Sequence, residues 1–182
     1  MMSEPAPAKK RFPVAVAVLG GVLLIGFIVL FAVQMKKSKQ DMLEIGTQVP
    51  DFTVTTFSGE TYQKSKLEGK ILLLNFWSSW CSSCDEEGAA LEEVWQEVKD
   101  EGDIIFIGVN YVDTEKDSLA FLEKYGITFP NGPDLGSRIS RIFMVDAVPE
   151  SYIIGRDGRL VAIQIGAFQS ADEIRAALAL AE

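Results

Sequence analysis

The feature that most constrains the fold is a pair of short apolar runs separated by a helical pattern. Residues 71–77 and 104–109 are almost continuously apolar, which is typical of strands buried on both faces of a sheet. Between them, apolar residues from Leu91 to Val98 recur at the spacing of one helix face. Two buried strands joined by a helix predict a parallel pair with a right-handed crossover, and therefore an α/β domain.

Two further segments are predicted to be β-hairpins. The first has a strand at residues 52–57, followed by the turn residues Ser58 and Gly59. The second has strands at 151–154 and 160–165 around a charged, glycine-containing turn. Hairpins add antiparallel strands to the parallel pair. We therefore expect a mixed sheet flanked by helices, with an N-terminal β-hairpin.

Capping patterns predict two more helices. Thr114 with Asp117 indicates a helix start, and Gly126 follows the end of that apolar stripe. Ser170 with Glu173 forms a capping box for a last helix through residue 181. The folded domain has about 130 residues, enough to bury a stable core without disulfide bonds. Its cysteines are therefore not needed for folding.

An uncharged apolar run lies near the N-terminus, at residues 14–33. A helix of that length rises about 30 Å, which matches the hydrocarbon thickness of a bilayer. A cleaved signal peptide would have a shorter apolar stretch and a small-x-small cleavage site. We therefore predict a single transmembrane helix at 14–33 that acts as a signal-anchor, after a tail at 1–13 and before a tether at 34–48 and a folded domain at 49–182. Three basic residues precede the run and three follow it, which leaves its orientation open.

Charge and composition exclude several classes of function. Residues 41–182 hold 25 of the 26 acidic residues and 11 of the 17 basic ones, a formal charge of −14. Phosphate backbones and anionic lipids repel such a domain, so we expect no nucleic-acid partner. The chain has no histidine, which excludes Ser-His-Asp and Cys-His catalysis, histidine metal ligands and a c-type haem attachment site. We expect no metal and no other cofactor.

The chemistry-bearing motif contains the only two cysteines, Cys81 and Cys84. They lie where a buried strand passes into a helix, and unpaired N–H groups at a helix start lower the pKa of a thiol there. The thiolate is the attacking species in disulfide exchange. A second cysteine one turn along can close a disulfide with the first. The spacing therefore predicts Cys81 as the nucleophile and Cys84 as the deeper, resolving thiol of a redox-active disulfide.

Two other interpretations of the cysteine pair stay open at this point. A zinc site needs about four ligands, so the pair would have to be half of a site shared between two chains. A purely structural disulfide across so short a loop gains little stability from loop closure. A CxxC motif after a strand in an α/β pattern is otherwise typical of redox activity.

The cysteine segment reads NFWSSWCSSC at residues 75–84. It resembles the active-site segment of the TlpA/ResA/CcmG (DsbE) group of membrane-anchored, thioredoxin-like thiol–disulfide oxidoreductases. Segments at 50–53, 129–130 and 148–151 follow in the order of that group, and the resemblance spans residues 48–180. It implies an extracytoplasmic, single-pass membrane protein with protein thiol or disulfide substrates. A membrane thiol-electron transporter would keep it reduced, and the first candidate client is apocytochrome c, in cytochrome c biogenesis. The alternative is a general extracytoplasmic reductase or oxidant for other clients.

The resemblance also implies roles for single residues. Pro149 resembles the cis-proline that faces the dithiol, and Glu87 matches a carboxylate beside it that could move the proton of the resolving thiol. Trp80, Val148 and Glu150 are expected to contact the substrate.

The sequence departs from the pattern of the group in two places. Ser83 stands where the group usually has proline before the second cysteine, and Ala89 replaces another usual proline.

Acidic residues favour one direction of electron flow. Asp85, Glu86 and Glu87 crowd the start of the cysteine helix, and like charges disfavour a thiolate. A less stabilised thiolate is typical of a reductant, so we predict a reductase.

Functions of other classes are alternatives to this one. A metal-delivery protein of similar fold would need further ligands, and a thiol peroxidase would need a lone peroxidatic cysteine. The third alternative is a non-catalytic binding module.

Overall fold

The computed structural model describes residues 14–40 and 43–182. The chain divides into two compact units between Met42 and Leu43. In the first unit, helix α1 covers Val14–Gln40. No helix among the described residues combines the length and the apolarity needed to cross a bilayer. The transmembrane helix predicted at 14–33 is therefore not confirmed and stays a prediction, and the tail predicted at 1–13 lies outside the described residues.

The second unit has seven strands and four α-helices, and five of the strands form one central sheet. In chain order they are β1 (Thr53–Thr55), β2 (Thr61–Gln63), β3 (Ile71–Trp77), α2 (Ser82–Val98), β4 (Ile104–Asn110), α3 (Glu115–Tyr125), β5 (Asn131–Pro133), α4 (Arg138–Phe143), β6 (Glu150–Ile154), β7 (Leu160–Ile165) and α5 (Ala171–Ala179). Gly46 and Thr47, within the predicted tether, exchange backbone hydrogen bonds with Leu160.

The central sheet has the strand order β5-β4-β3-β6-β7. Strand β3 runs parallel to β4, from the pair Ile71 and Ile104 to the pair Trp77 and Asn110, and antiparallel to β6. Strands β1 and β2 form a separate antiparallel hairpin. The prediction of a mixed sheet flanked by helices, with an N-terminal β-hairpin, is confirmed.

Strand β3 is buried along its whole length and separates two apolar layers. Leu72, Leu74 and Phe76 pack on the side of the sheet that contacts α4. Ile71 and Leu73 face the opposite layer, which includes α2 and α5. Alternate residues of a strand point to opposite faces, so Asn75 and Trp77 fall on the α2 side, where the cysteines lie.

Strand β5 and helix α4 were not predicted, and the ends of several predicted elements differ by one or two residues. The N-terminal strand is limited to Thr53–Thr55 and the last helix ends at Ala179 instead of residue 181. Strand β5 is the three residues Asn131–Pro133, whose composition is typical of a turn. Its Gly132 leaves no room for a Cβ beside the backbone of Thr55, so close packing against the hairpin selects glycine there.

Helix α4 has six residues, too few for a periodic pattern. The Asp134 carboxylate accepts hydrogen bonds from the backbone N–H groups of Ile139, at 2.9 Å, and Ser140, at 2.8 Å. The N-cap of α4 is Ser137, whose side chain makes no capping hydrogen bond, so the usual N-cap signal did not mark this helix in the sequence.

Candidate active site

The cysteine pair lies at the junction of β3 and α2. Cys81 is the N-cap of α2, with an extended backbone, and its Sγ accepts a hydrogen bond from the Cys84 N–H at 3.3 Å. The two cysteines form a disulfide, with their Cα atoms 5.4 Å apart. A helix N-cap satisfies N–H groups that would otherwise be unpaired. The same N–H group would stabilise a Cys81 thiolate after reduction.

The surroundings of Cys81 bring together most of the residues predicted to contact substrate. Cys81 is 6% exposed and Cys84 is 2% exposed, whereas Trp80 beside them is 61% exposed. The Cys81 Sγ lies 3.3 Å from the carbonyl oxygen of Val148. The peptide bond between Val148 and Pro149 is cis, as the family resemblance implied. A disulfide sulfur carries no hydrogen, so this contact can become a hydrogen bond only in the dithiol form.

Glu87 is a buried carboxylic acid on the inner face of α2, 1% exposed. Its Oε1 accepts a hydrogen bond from Asn75 Nδ2 at 2.7 Å, and its Oε2 accepts one from the Phe168 N–H at 3.0 Å. Burial raises the pKa of Glu87 to about 7, against the opposite effect of these two hydrogen bonds. A carboxyl with such a pKa can both take and give a proton near neutral pH.

A cavity of about 10 Å³ lies beside Glu87 and the disulfide. Both Cys84 and Glu87 line it, together with Asn75, Trp77 and Phe121. Its volume is close to that needed to hold one water molecule. Positions three apart on a helix lie on the same side, which is why Cys84 and Glu87 line the same cavity.

The loop after β4 holds the residues that precede Cys81. Asp113 accepts hydrogen bonds from the Ser79 N–H at 2.6 Å and from the Ser79 hydroxyl at 2.9 Å. The Trp80 indole donates to the Val112 carbonyl at 3.0 Å, and Val112 has a left-handed backbone, φ 46°. Burial raises the pKa of Asp113, but hydrogen bonds from Asn110, Ser79 and Thr114 outweigh it and leave the pKa below its ordinary value.

Asp113 was not among the predicted site residues. The signal that could have found it is its place in the loop that follows the buried strand β4, at the end of the sheet where sites in α/β folds form.

Glu150 begins strand β6 and is 5% exposed. Its Oε2 accepts a hydrogen bond from the Tyr152 hydroxyl at 2.6 Å, and its Oε1 lies 3.4 Å from the Ala147 N–H. Burial, followed by this hydrogen bond and the charges of Glu150 and Asp146, raises the pKa of Tyr152. The carboxylate therefore points into the protein, and its predicted contact with a partner stays a prediction.

Comparison with known proteins agrees with this fold and site. The AhpC/TSA family profile matches residues 45–163. Thiol-disulfide oxidoreductase ResA of Bacillus anthracis is 32% identical over 127 residues, which cover 70% of this chain and 73% of ResA. Thioredoxin-like protein YneN of Bacillus subtilis is 32% identical over 148 residues, 80% of this chain and 85% of YneN.

A solved structure shows the same likeness. It is that of a secreted disulfide oxidoreductase of Mycobacterium tuberculosis, described as homologous to E. coli DsbE. It matches with a TM-score of 0.63 and 28% identity, over 70% of this chain and 94% of its own. The fold and the cysteine site define a thioredoxin-like thiol–disulfide oxidoreductase. The chain belongs to the AhpC/TSA family and, within it, to the oxidoreductases of the ResA and DsbE type.

Proposed function

We propose that the protein reduces disulfides of extracytoplasmic client proteins through Cys81 and Cys84. The observation that carries the proposal is the disulfide at the N-cap of α2, with Cys81 bonded to the Cys84 N–H and Glu87 buried behind it. A helix N-cap is a place where a thiolate is stabilised. The greater exposure of Cys81 supports Cys81 as the attacking sulfur and Cys84 as the resolving one.

The reaction is two successive thiol–disulfide exchanges. The Cys81 thiolate attacks one sulfur of a client disulfide, a mixed disulfide forms, and the other client sulfur leaves as a thiolate. Cys84 then loses its proton to Glu87 and attacks Cys81, which releases the second client thiolate. The client gains two electrons, and the protein is left with the Cys81–Cys84 disulfide. A membrane thiol-electron transporter would reverse that oxidation for the next cycle.

Acidic residues near the motif support reduction over oxidation. Asp85 is half-buried in the first turn of α2, and Glu86 is exposed next to it. Negative charges near Cys81 disfavour its thiolate. A thiolate that is only moderately stabilised leaves the reduced form less favoured, as in a reductant. A measured potential near that of strong periplasmic oxidants would contradict this direction.

The proposed location is the outer face of a membrane, with residues 14–33 as the anchor. The uncharged run of the sequence supports it, as do the exposed apolar side chains along the described part of α1. A tether then lets the domain meet clients near the bilayer. Apocytochrome c is the first candidate client, because its haem-site cysteines must be reduced before haem attachment. Other extracytoplasmic disulfide proteins are the alternative.

Trapping of mixed disulfides tests the proposal. In the full chain, Cys84→Ala leaves Cys81 able to attack but removes the resolving thiol. We expect this variant, expressed in cells, to accumulate adducts that a reducing agent releases. Cys81→Ala should give none, and mass spectrometry would identify the clients. Absence of adducts from Cys84→Ala, or equal adducts from a variant lacking both cysteines, would contradict the proposed nucleophile. A non-catalytic binding module would keep its function in Cys81→Ala.

A further inference from the structure

Asn75 joins Glu87 to the central sheet. It is a buried residue of β3, directly opposite Ser151 of β6 in the register of the sheet. Its Nδ2 group donates to Glu87 Oε1 at 2.7 Å and to the Ser151 hydroxyl at 3.0 Å. A side-chain amide has two such hydrogens, and both have acceptors here. The amide is therefore held in one orientation, with its donor side towards Glu87.

The two oxygens of Glu87 are held from opposite sides. Asn75 of the sheet donates to one oxygen, and the backbone N–H of Phe168, in the loop between β7 and α5, donates to the other. Hydrogen bonds to a carboxylate stabilise its ionised form, while burial opposes ionisation. The pair of donors also fixes the carboxyl plane beside the cavity that Cys84 lines.

We infer that Asn75 is a positioning residue that holds the Glu87 carboxylate beside Cys84 and stabilises its ionised form. This inference rests on the proposed function, in which Glu87 takes the Cys84 proton. In the resolving step the S–H bond of Cys84 breaks, its proton goes to Glu87, and the sulfur forms a bond to Cys81. The partner thiolate leaves from Cys81. Without the Asn75 donor, a smaller fraction of Glu87 is ionised at neutral pH and the step slows.

Among the described residues that line the cavity beside Glu87, only Glu87 itself and Cys84 are titratable. Among the described residues that line its cavity, α2 contributes Cys84, the other titratable group, and α3 contributes Phe121. Strand β5 contributes Asn131, and β6 contributes Ser151 through Asn75. The hydrogen bonds from Asn75 and Phe168 lower the pKa of Glu87, against the larger effect of burial. Asn75 is thus one of two groups whose loss would change that pKa directly.

Release of thionitrobenzoate measures the resolving step. One equivalent of the aromatic disulfide DTNB is added to the reduced full chain in detergent. Attack by Cys81 releases a first thionitrobenzoate, and attack by Cys84 on the resulting mixed disulfide releases a second. We expect the rate of the second release to rise with pH, with a midpoint close to the Glu87 pKa of about 7.

Variants separate the two claims. Asn75→Ala, and the similarly branched Asn75→Leu in case the first fails to fold, should move the midpoint up by about one pH unit and slow the second release about fivefold at neutral pH. Glu87→Gln should remove the step near pH 7 and leave only the rise at higher pH that any attacking thiol gives as it ionises. The control Asn131→Ala removes another buried amide of the same cavity that does not bond Glu87, and should leave the midpoint in place.

The outcomes distinguish the inference from the function it rests on. A step near pH 7 that persists in Glu87→Gln would overturn the role of Glu87, and the role of Asn75 with it. If Glu87→Gln loses the step but both Asn75 variants keep the wild-type midpoint, the positioning role alone is overturned. A shift in Asn131→Ala equal to that in Asn75→Ala would also overturn it, because the effect would then come from loosening of the cavity.

Discussion

Replacing Glu87 with glutamine should remove a pH-dependent destabilisation of the folded domain. Glu87 is 1% exposed, and burial raises its pKa from 4.5 to about 7. Glutamine has nearly the shape of the protonated acid and cannot ionise. Its NH2 group cannot accept the hydrogen bond of Asn75 or Phe168 that it meets, but that cost does not change with pH. The change with pH of the stability difference from wild type therefore reports on the ionisation of Glu87.

The sign and size of the effect follow from that pKa. A carboxyl with a raised pKa binds its proton more tightly in the folded state, so its contribution to stability is complete below pH 4.5 and is lost as the pH rises through about 7. A rise of this size corresponds to about 3 kcal/mol. Between about pH 4.5 and pH 8, the free energy of unfolding of Glu87→Gln relative to wild type should therefore rise by ~3 kcal/mol.

Denaturant unfolding of the oxidised full chain in detergent, followed by tryptophan fluorescence, measures this difference. All three tryptophans lie in residues 43–182, so the signal reports on the oxidoreductase domain. Glu86→Gln is the matched control, since it removes an exposed carboxylate from the neighbouring position of the same helix. A stability difference between Glu87→Gln and wild type that stayed constant with pH, or that Glu86→Gln reproduced, would refute the reasoning.

Three other predictions concern the packing of the site and its chemistry. Gly108→Ala should cost about 2 kcal/mol in denaturant unfolding, because a Cβ there would overlap the side chains of Asn131 and Trp77; a wild-type midpoint would contradict this packing. Asp113→Asn should cost about 1 kcal/mol at neutral pH, and the loss should shrink as the pH falls below 3.8, since the pKa of Asp113 is lowered and its stabilisation needs the ionised form. A loss that does not depend on pH would contradict that. The wild-type chain should consume peroxide no faster than Cys81→Ala does. Peroxide turnover that depends on Cys81 would indicate a thiol peroxidase.

The sequence was most informative where elements are long and strongly patterned. The apolar run of β3 and the helix cap at Thr114 were predicted at the positions observed, and the Thr114 side chain accepts from the Asp117 N–H. Strand β5 and helix α4 were missed because their three and six residues are too few for periodicity. Contacts made after the chain folds, such as the approach of Gly132 to Thr55, determine these short elements.

For the site, local pattern located the cysteines but not the groups around them. The strand-to-helix junction was enough to place Cys81 at a helix start. The bonds from Asn75 and from the Phe168 N–H to Glu87 join residues 12 and 81 positions apart, and no local pattern reports such pairs. The partner contact predicted for Glu150 came from the family resemblance, and no local pattern indicated that its carboxylate accepts a hydrogen bond from the Tyr152 hydroxyl inside the protein.

Redox titration of the full chain in glutathione buffers tests most directly whether Cys81 and Cys84 form a reversible, accessible dithiol–disulfide couple. We predict one two-electron transition that both oxidation and reduction reach, with a potential nearer the about −270 mV of thioredoxin than the about −120 mV of the oxidant DsbA. Alkylation and mass spectrometry would show both thiols of the pair appearing together. Cysteines that stay unpaired under oxidising buffers, or a disulfide that the buffers never reduce, would contradict the proposed function.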